Sequence, residues 1–314
     1  MNRLFLFFFF CSLYACQQNE KRLLHVPSPN WEDQVIYFLM TDRFADGNPQ
    51  NNDFGANEYD PNDHTKFQGG DFQGIQNKLD YLDELGIDAI WFTPPVANQW
   101  WNPDTNFTGY HGYWASHFME TDPHFGSLEE LKNLSDAVHR KEMYLIQDIV
   151  VNHTGNYFSY EGGYEANNPT KFYTKVGAPT QAPFDKNDPN NPEHLAAGIY
   201  NFTPYINDYQ DESQILTYQM GKLDDLKTTN PVVRAELIKA YQFWVKEAGL
   251  DGFRFDTPVY VEHDFFNAFM HRGQADLLGI EPFAKTLGKD FYTFGETWVS
   301  AKPYNDDAEI KSKA

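Results

Sequence analysis

The chain has 314 residues, 41% hydrophobic and 22% charged, which excludes a disordered polymer and is long enough to bury a large core. Its formal net charge of -21 argues against nucleic acid or any polyanionic partner and leaves neutral or cationic ligands open. Both cysteines, Cys11 and Cys16, fall at the very start, which excludes a disulfide framework in the body of the protein.

The opening stretch, MNRLFLFFFFCSLYAC, joins Arg3 to an apolar run too short to span a membrane and ends on Leu13, Tyr14, Ala15 and Cys16. It resembles a bacterial lipoprotein signal, with Cys16 the lipidated first residue of the mature protein and residues 17–30 a tether. The protein is then expected at the cell envelope on a lipid anchor; without lipidation the same stretch is a secretory signal.

From residue 31 onward, apolar runs alternate with amphipathic helical patterns. QVIYFLMTDRF reads as a first strand, and GIQNKLDYLDELG as a helix with Ile75, Leu79, Leu82 and Leu85 on one stripe and Gly86 as its stop. IDAIWFTPP is the second strand, and SLEELKNLSDAVHRK a helix opened by a capping box of Ser127 and Glu130. MYLIQDIVVNH is the third strand, VVRAELIKAYQFWVKEAG a helix, LDGFRFDTP the fourth strand and DFYTFGETW the fifth. Such repeats predict an α/β fold with a parallel sheet: a (β/α)₈ TIM barrel of which about five strands are present, or a doubly wound sheet. Residues 154–230, rich in Asn, Pro, Gly and Tyr, are too long for a plain connection and predict a domain inserted after the third strand. Residues 31–153 and 231–314 then form the two parts of the barrel.

Polar residues collect at the strand ends, where barrel enzymes carry their chemistry. The third strand ends with Asp148, Asn152 and His153, the fourth with Arg254 and Asp256, the fifth with Glu296. In a strand Arg254 and Asp256 share a face while Phe253 and Phe255 take the other. An Asp and a Glu converging in a cleft suit retaining glycoside hydrolysis, one carboxylate attacking and the other protonating the leaving oxygen, at about 5 to 5.5 Å apart. Arg254 is expected to lower the Asp256 pKa and keep it ionised. Glu296 is then the proton donor. Taken singly, each of these groups also fits a satisfied core residue or a structural ion pair.

These residues resemble glycoside hydrolase family 13, the α-amylase family, from about Trp31 to Trp298. DIVVNH, GFRFD and FGETW are similar to its first three signatures, KLDDLKTTNPVV to a further one, and YHGYW to a segment lining the cleft. The resemblance implies Asp256 as nucleophile, Glu296 as general acid/base and Arg254 as the arginine beside the nucleophile. It also implies sugar contacts from His111 and His153, a stacking ring at Tyr113, and Tyr110 and Trp114 in the cleft wall. A calcium ion is implied at DGNPQNND and GGD, on Asp46, Asn48, Asn51, Asn52, the Gly69 carbonyl and Asp71, all hard oxygen donors. A second is suggested by Asn152 and Asp225.

The activity so implied is cleavage of α-1,4-glucosidic bonds of starch or maltooligosaccharides. Pullulan and cyclodextrin hydrolases and glucanotransferases of the same family use the same carboxylates, and a glucan-binding lipoprotein without catalysis is a further reading. Two departures from the pattern stand out: Val259 and Tyr260 replace a common Lys-His pair, and the chain reaches Ala314 before the fourth signature with its third carboxylate. The sequence is therefore expected to be a fragment of a longer protein and nearly inactive alone.

Overall fold

Five short parallel strands form the centre of the molecule: β1 (Ile36–Leu39), β2 (Ala89–Phe92), β3 (Tyr144–Ile149), β4 (Gly252–Phe255) and β5 (Tyr292–Gly295). Each pairs with the next in sequence, so the sheet runs in chain order from β1 to β5. This computed structural model describes residues 24, 26–102, 104–274 and 276–296; Cys16 and Trp298 lie outside them. Helices fill each crossover, as parallel pairing requires: α1 (Phe72–Asn77) and α2 (Leu79–Glu84), α3 (Leu128–Arg140), α4 (Pro231–Glu247), then α5 (His263–His271) and α6 (Ile280–Thr286). Among the described residues no helix is long and apolar enough to cross a membrane.

Local chemistry explains most boundaries. The Ser127 hydroxyl accepts from Glu130 N–H while the Glu130 carboxylate accepts from Ser127 N–H, so α3 begins on a reciprocal cap. Its buried Leu131, Leu134 and Val138 recur at helical spacing. Asn230 caps α4 through Val232 N–H, and Pro231 at the first helical position gives up no needed donor. Two expectations are corrected. The helix over residues 74–86 is two helices, because Lys78 N–H turns back to Ile75 O and breaks the regular ladder. The first strand stops at Leu39, and Thr41–Phe44 coil into one helical turn.

The two faces of the sheet differ. Toward the helices, Phe253 meets Tyr241 of α4 at 5.5 Å and Phe255 meets Phe269 of α5 at 5.5 Å. The opposite face carries Phe38, Trp91, Asp148, Arg254 and Phe294; Trp91 packs 4.4 Å from Phe38 and 5.5 Å from Phe294. At the strand starts, Trp31 stacks on Tyr292 at 4.3 Å. Residues 154–230 form a hairpin of Phe158–Tyr160 with Tyr173–Lys175 and helices Pro192–Ala197 and Glu212–Thr217. Their aromatic cluster, Phe158 with Tyr173, Tyr200 and Phe202, is continuous with the main core, where Phe184 meets Phe118 at 4.9 Å.

Candidate active site

Strand register decides what can meet. Arg254 of β4 lies level with Asp148 of β3 and Phe294 of β5, and level residues of neighbouring parallel strands share a face. The ladder then runs one step past the strands: Asp256 N–H donates to Ile149 O at 2.8 Å, and Glu296 N–H to Phe255 O at 3.0 Å. Asp148, Arg254, Asp256 and Glu296 therefore gather at the C-terminal ends of three adjacent strands.

Arg254 is the hub. Its Nη1 donates to both Asp148 oxygens at 3.0 Å and to Asp256 Oδ1 at 3.0 Å, and its Nη2 lies 2.8 Å from Glu296 Oε2. The guanidinium carbon sits 5.1 Å from the Trp91 ring centroid. Asp148, fully buried, also accepts from Trp91 Nε1 at 3.0 Å and the Tyr113 hydroxyl at 2.9 Å. Burial pushes its carboxyl up to about 7, against the pull of Arg254 and with the repulsion of Asp256 added. Asp256 departs from expectation: burial holds its carboxyl above the ordinary value although Arg254, Thr257 and Glu296 all act to lower it. One guanidinium shared among three carboxylates does not offset the desolvation of the two buried ones, Asp148 and Asp256.

Thr257 follows at φ 51°, a left-handed backbone that costs a β-branched residue of order 1–3 kcal/mol and marks a constrained site. Its hydroxyl bridges Asn152 Oδ1 at 2.7 Å and Asp256 Oδ2 at 3.3 Å.

The segment Tyr110–Trp114 forms the adjoining wall. Gly112 has φ 87°, and a Cβ there would sit 2.2 Å from Pro94 O, so only glycine lets the chain turn. Tyr113 N–H donates to His111 Nδ1 at 3.0 Å, and the two rings lie 5.6 Å apart at 26°. Trp114 meets the His111 ring edge-on at 4.5 Å. Burial, with His153 and Arg43 adding to it, pushes His111 down to about 3, so the ring is neutral. His153 departs from the expected sugar contact: it is 1% exposed, with Nε2 3.1 Å from Tyr113 O and Nδ1 2.9 Å from Asn152 Oδ1. It supports the Tyr113 backbone. Burial pushes it down to about 4, so it too is neutral.

The loop carrying Asp46, Asn48, Asn51, Asn52, Gly69 and Asp71 is held by local hydrogen bonds. Asn52 Nδ2 donates to Asp46 Oδ2 at 2.8 Å, and Asp71 accepts from the N–H groups of Gly47, Asn48 and Gly74. Asn48 Oδ1 accepts from Gln50 N–H. Gly69, at φ 96°, approaches so closely that a Cβ would lie 2.6 Å from Asn52 Nδ2. Both Asn51 side-chain heteroatoms and Asn52 Oδ1 are buried without a partner. Burial raises Asp71, and the Asp46 charge adds to it. Orphaned oxygens beside two carboxylates fit a hard cation. Among the described residues no group of three acidic, histidine or cysteine side chains is placed to hold a metal ion, so such an ion would depend on amide and backbone oxygens. Asn152 and Asp225 fit less well. Asn152 Oδ1 is taken by Thr257 and its Nδ2 has no partner, while Asp225 accepts from Asn201 Nδ2 at 2.7 Å. Neutral His153 has one N–H for two facing oxygens, and the Asn152 amide turned over puts its NH₂ toward His153 Nδ1 and Thr257 Oγ1 and an oxygen where Nδ2 is now orphaned, so the pair offers two oxygen ligands and no more.

Asp148, read from sequence only as a polar residue at the end of the third strand, joins the site through its register with Arg254, and Trp91 is a member that carried no signal in the sequence.

A family model for the alpha amylase catalytic domain matches residues 38–313. The chain is 33% identical over 305 residues to a cyclomaltodextrin glucanotransferase of Klebsiella oxytoca, covering 93% of this chain and 41% of that protein. It is 33% identical over 274 residues to an alpha-amylase of Streptomyces lividans, covering 76% and 28%. A solved Anoxybacillus alpha-amylase superposes with a TM-score of 0.64 at 31% identity, over 87% of this chain and 49% of that one. The chain thus spans less than half the length of these relatives, and its five strands are those of a (β/α)₈ barrel. With that match over most of its length, the chain belongs to the α-amylase family, glycoside hydrolase family 13.

Proposed function

We propose that the protein is a retaining α-glucan hydrolase that cleaves α-1,4-glucosidic bonds of starch or maltooligosaccharides. The observation that carries this is the single guanidinium of Arg254 gathering Asp148, Asp256 and Glu296 at three strand ends. Asp256 attacks the anomeric carbon as the glycosidic bond breaks, and Glu296 gives its proton to the leaving oxygen. Glu296 then takes a proton from water, whose oxygen displaces Asp256. Neutral His111 offers a sugar hydroxyl one donor, and the Tyr113 ring, held by Asp148, offers an apolar face. Likeness to a glucanotransferase over 93% of the chain favours a second reading, in which a sugar hydroxyl replaces water in the second step.

Asp256→Asn should lower release of reducing ends from maltoheptaose on the order of 10⁴-fold while binding persists. Turnover retained in that variant would place the nucleophile elsewhere, and binding without turnover in the parent would leave a glucan-binding protein. The orphaned oxygens of Asn51 and Asn52 support a calcium ion on the Asp46 loop, held by Asp46, Asn48, Asn51, Asn52, Asp71 and the Gly69 carbonyl; its role is to fasten the loop. Calcium should raise the melting temperature and a chelator should reverse the rise; a melting curve indifferent to both removes the ion.

A further inference from the structure

Arg43 lies on the helical turn Thr41–Phe44, outside the group of carboxylates. Its guanidinium carbon is 3.8 Å from the centroid of the Tyr110 ring, a close approach for a cation over an aromatic face. The ring does not fix the arginine by itself. Arg43 Nη2 donates to His64 O at 3.2 Å and Lys66 O at 2.7 Å, and Nε lies 2.7 Å from Asp42 Oδ2. Asp42 is itself buried and accepts from Gln68 N–H and Gly69 N–H.

The carbonyl between the two that Arg43 uses belongs to Thr65. It accepts from Thr108 N–H at 2.8 Å and Thr108 Oγ1 at 3.2 Å, two residues before Tyr110. One short segment, residues 64–66, therefore holds Tyr110 twice, by its backbone through Thr108 and by its ring through Arg43. The Tyr110 ring in turn meets His111 edge-on at 5.3 Å. Only a planar guanidinium can donate to two carbonyls and lie over a ring face together, so lysine is no equivalent here.

We propose that Arg43 is a positioning residue for the sugar-facing wall, setting the Tyr110 ring and through it His111 for α-glucan binding. The proposal rests on the α-glucan reading above. Maltoheptaose affinity, measured by calorimetry in an Asp256→Asn background so that no ligand is consumed, tests it. Arg43→Met should weaken binding about tenfold, Arg43→Lys less, and Tyr110→Leu about as much as Arg43→Met. The double variant should bind no worse than Tyr110→Leu alone, because both changes remove one arrangement. Affinity unchanged in Arg43→Met, or losses that add in the double variant, overturn the proposal and leave the α-glucan reading intact. Absence of binding in the parent overturns that reading, and this proposal with it. Should Arg43→Met fail to fold, the cycle of Arg43→Lys with Tyr110→Leu decides by the same non-additivity.

Discussion

Strand β4 carries a buried charge cluster at each end, and the two are built on opposite plans. At its start, one carboxylate is surrounded by donors: Asp251 takes His139 Nε2 at 2.7 Å, Leu145 N–H at 2.8 Å and Lys289 Nζ at 3.1 Å. Burial alone would raise that carboxyl, yet the His139 hydrogen bond, the Lys289 charge and the Leu145 N–H hold it below the ordinary value. At its end, one cation is surrounded by carboxylates, and burial wins: Asp148 and Asp256 both sit above their ordinary values. The first arrangement ties α3, β3, β4 and the approach to β5 together. The second keeps acids under tension where chemistry can use it.

Breaking each hub should expose the contrast, with opposite dependence on pH. The larger effect is expected from Arg254→Leu, which leaves three carboxylates around a lost cation and should cost about 3–5 kcal/mol. Asp148 titrates near 7 in the folded chain and near 3.8 unfolded, so its ionisation opposes folding and stability falls as pH rises between those values. Without Arg254 that opposition grows, and the deficit should shrink at about pH 5.5 relative to about pH 8.5 in urea melts. A deficit independent of pH would mean that the carboxylates are already neutral.

A somewhat smaller loss, about 3 kcal/mol, is expected from Asp251→Ala, which strands Lys289 among carbonyls. Burial already lowers the Lys289 ammonium, with Asp251 opposing; once Asp251 is gone Lys289 should lose its proton more easily. The unfolded chain then binds the extra proton, so stability rises with pH and this deficit should shrink toward about pH 8.5. The same urea melts read it, and a deficit that grows with pH would contradict the assignment of Lys289 as the stranded charge.

Much of this architecture was legible because it is local. Apolar runs marked the five strands, the Ser127 and Glu130 spacing marked the start of α3, and alternation alone placed Arg254 and Asp256 together, away from Phe253 and Phe255. What escaped depends on register and burial. Trp91 joins the site, and Asp148, legible only as a strand-end carboxylate, meets Arg254 there, because β2, β3 and β4 align, and neither partner is near the other in sequence. The direction of the Asp256 shift escaped for the same reason: the neighbouring arginine is visible in GFRFD, whereas its sharing with two further carboxylates and the depth of burial are not. His153 reads as a ligand by its place at a strand end, yet its nitrogens face Tyr113 O and Asn152 Oδ1.

The three-way sharing of Arg254 also bears on how the chain finds its fold. A one-residue slip of β4 against β3 would turn Arg254 into the aromatic layer under α4 and α5 and bring Phe253 or Phe255 among the carboxylates. Apolar strands alone discriminate weakly between neighbouring registers. A buried cation that finds its partners in only one of them makes the others costly, so the residue at the centre of the site also proofreads the assembly of the sheet.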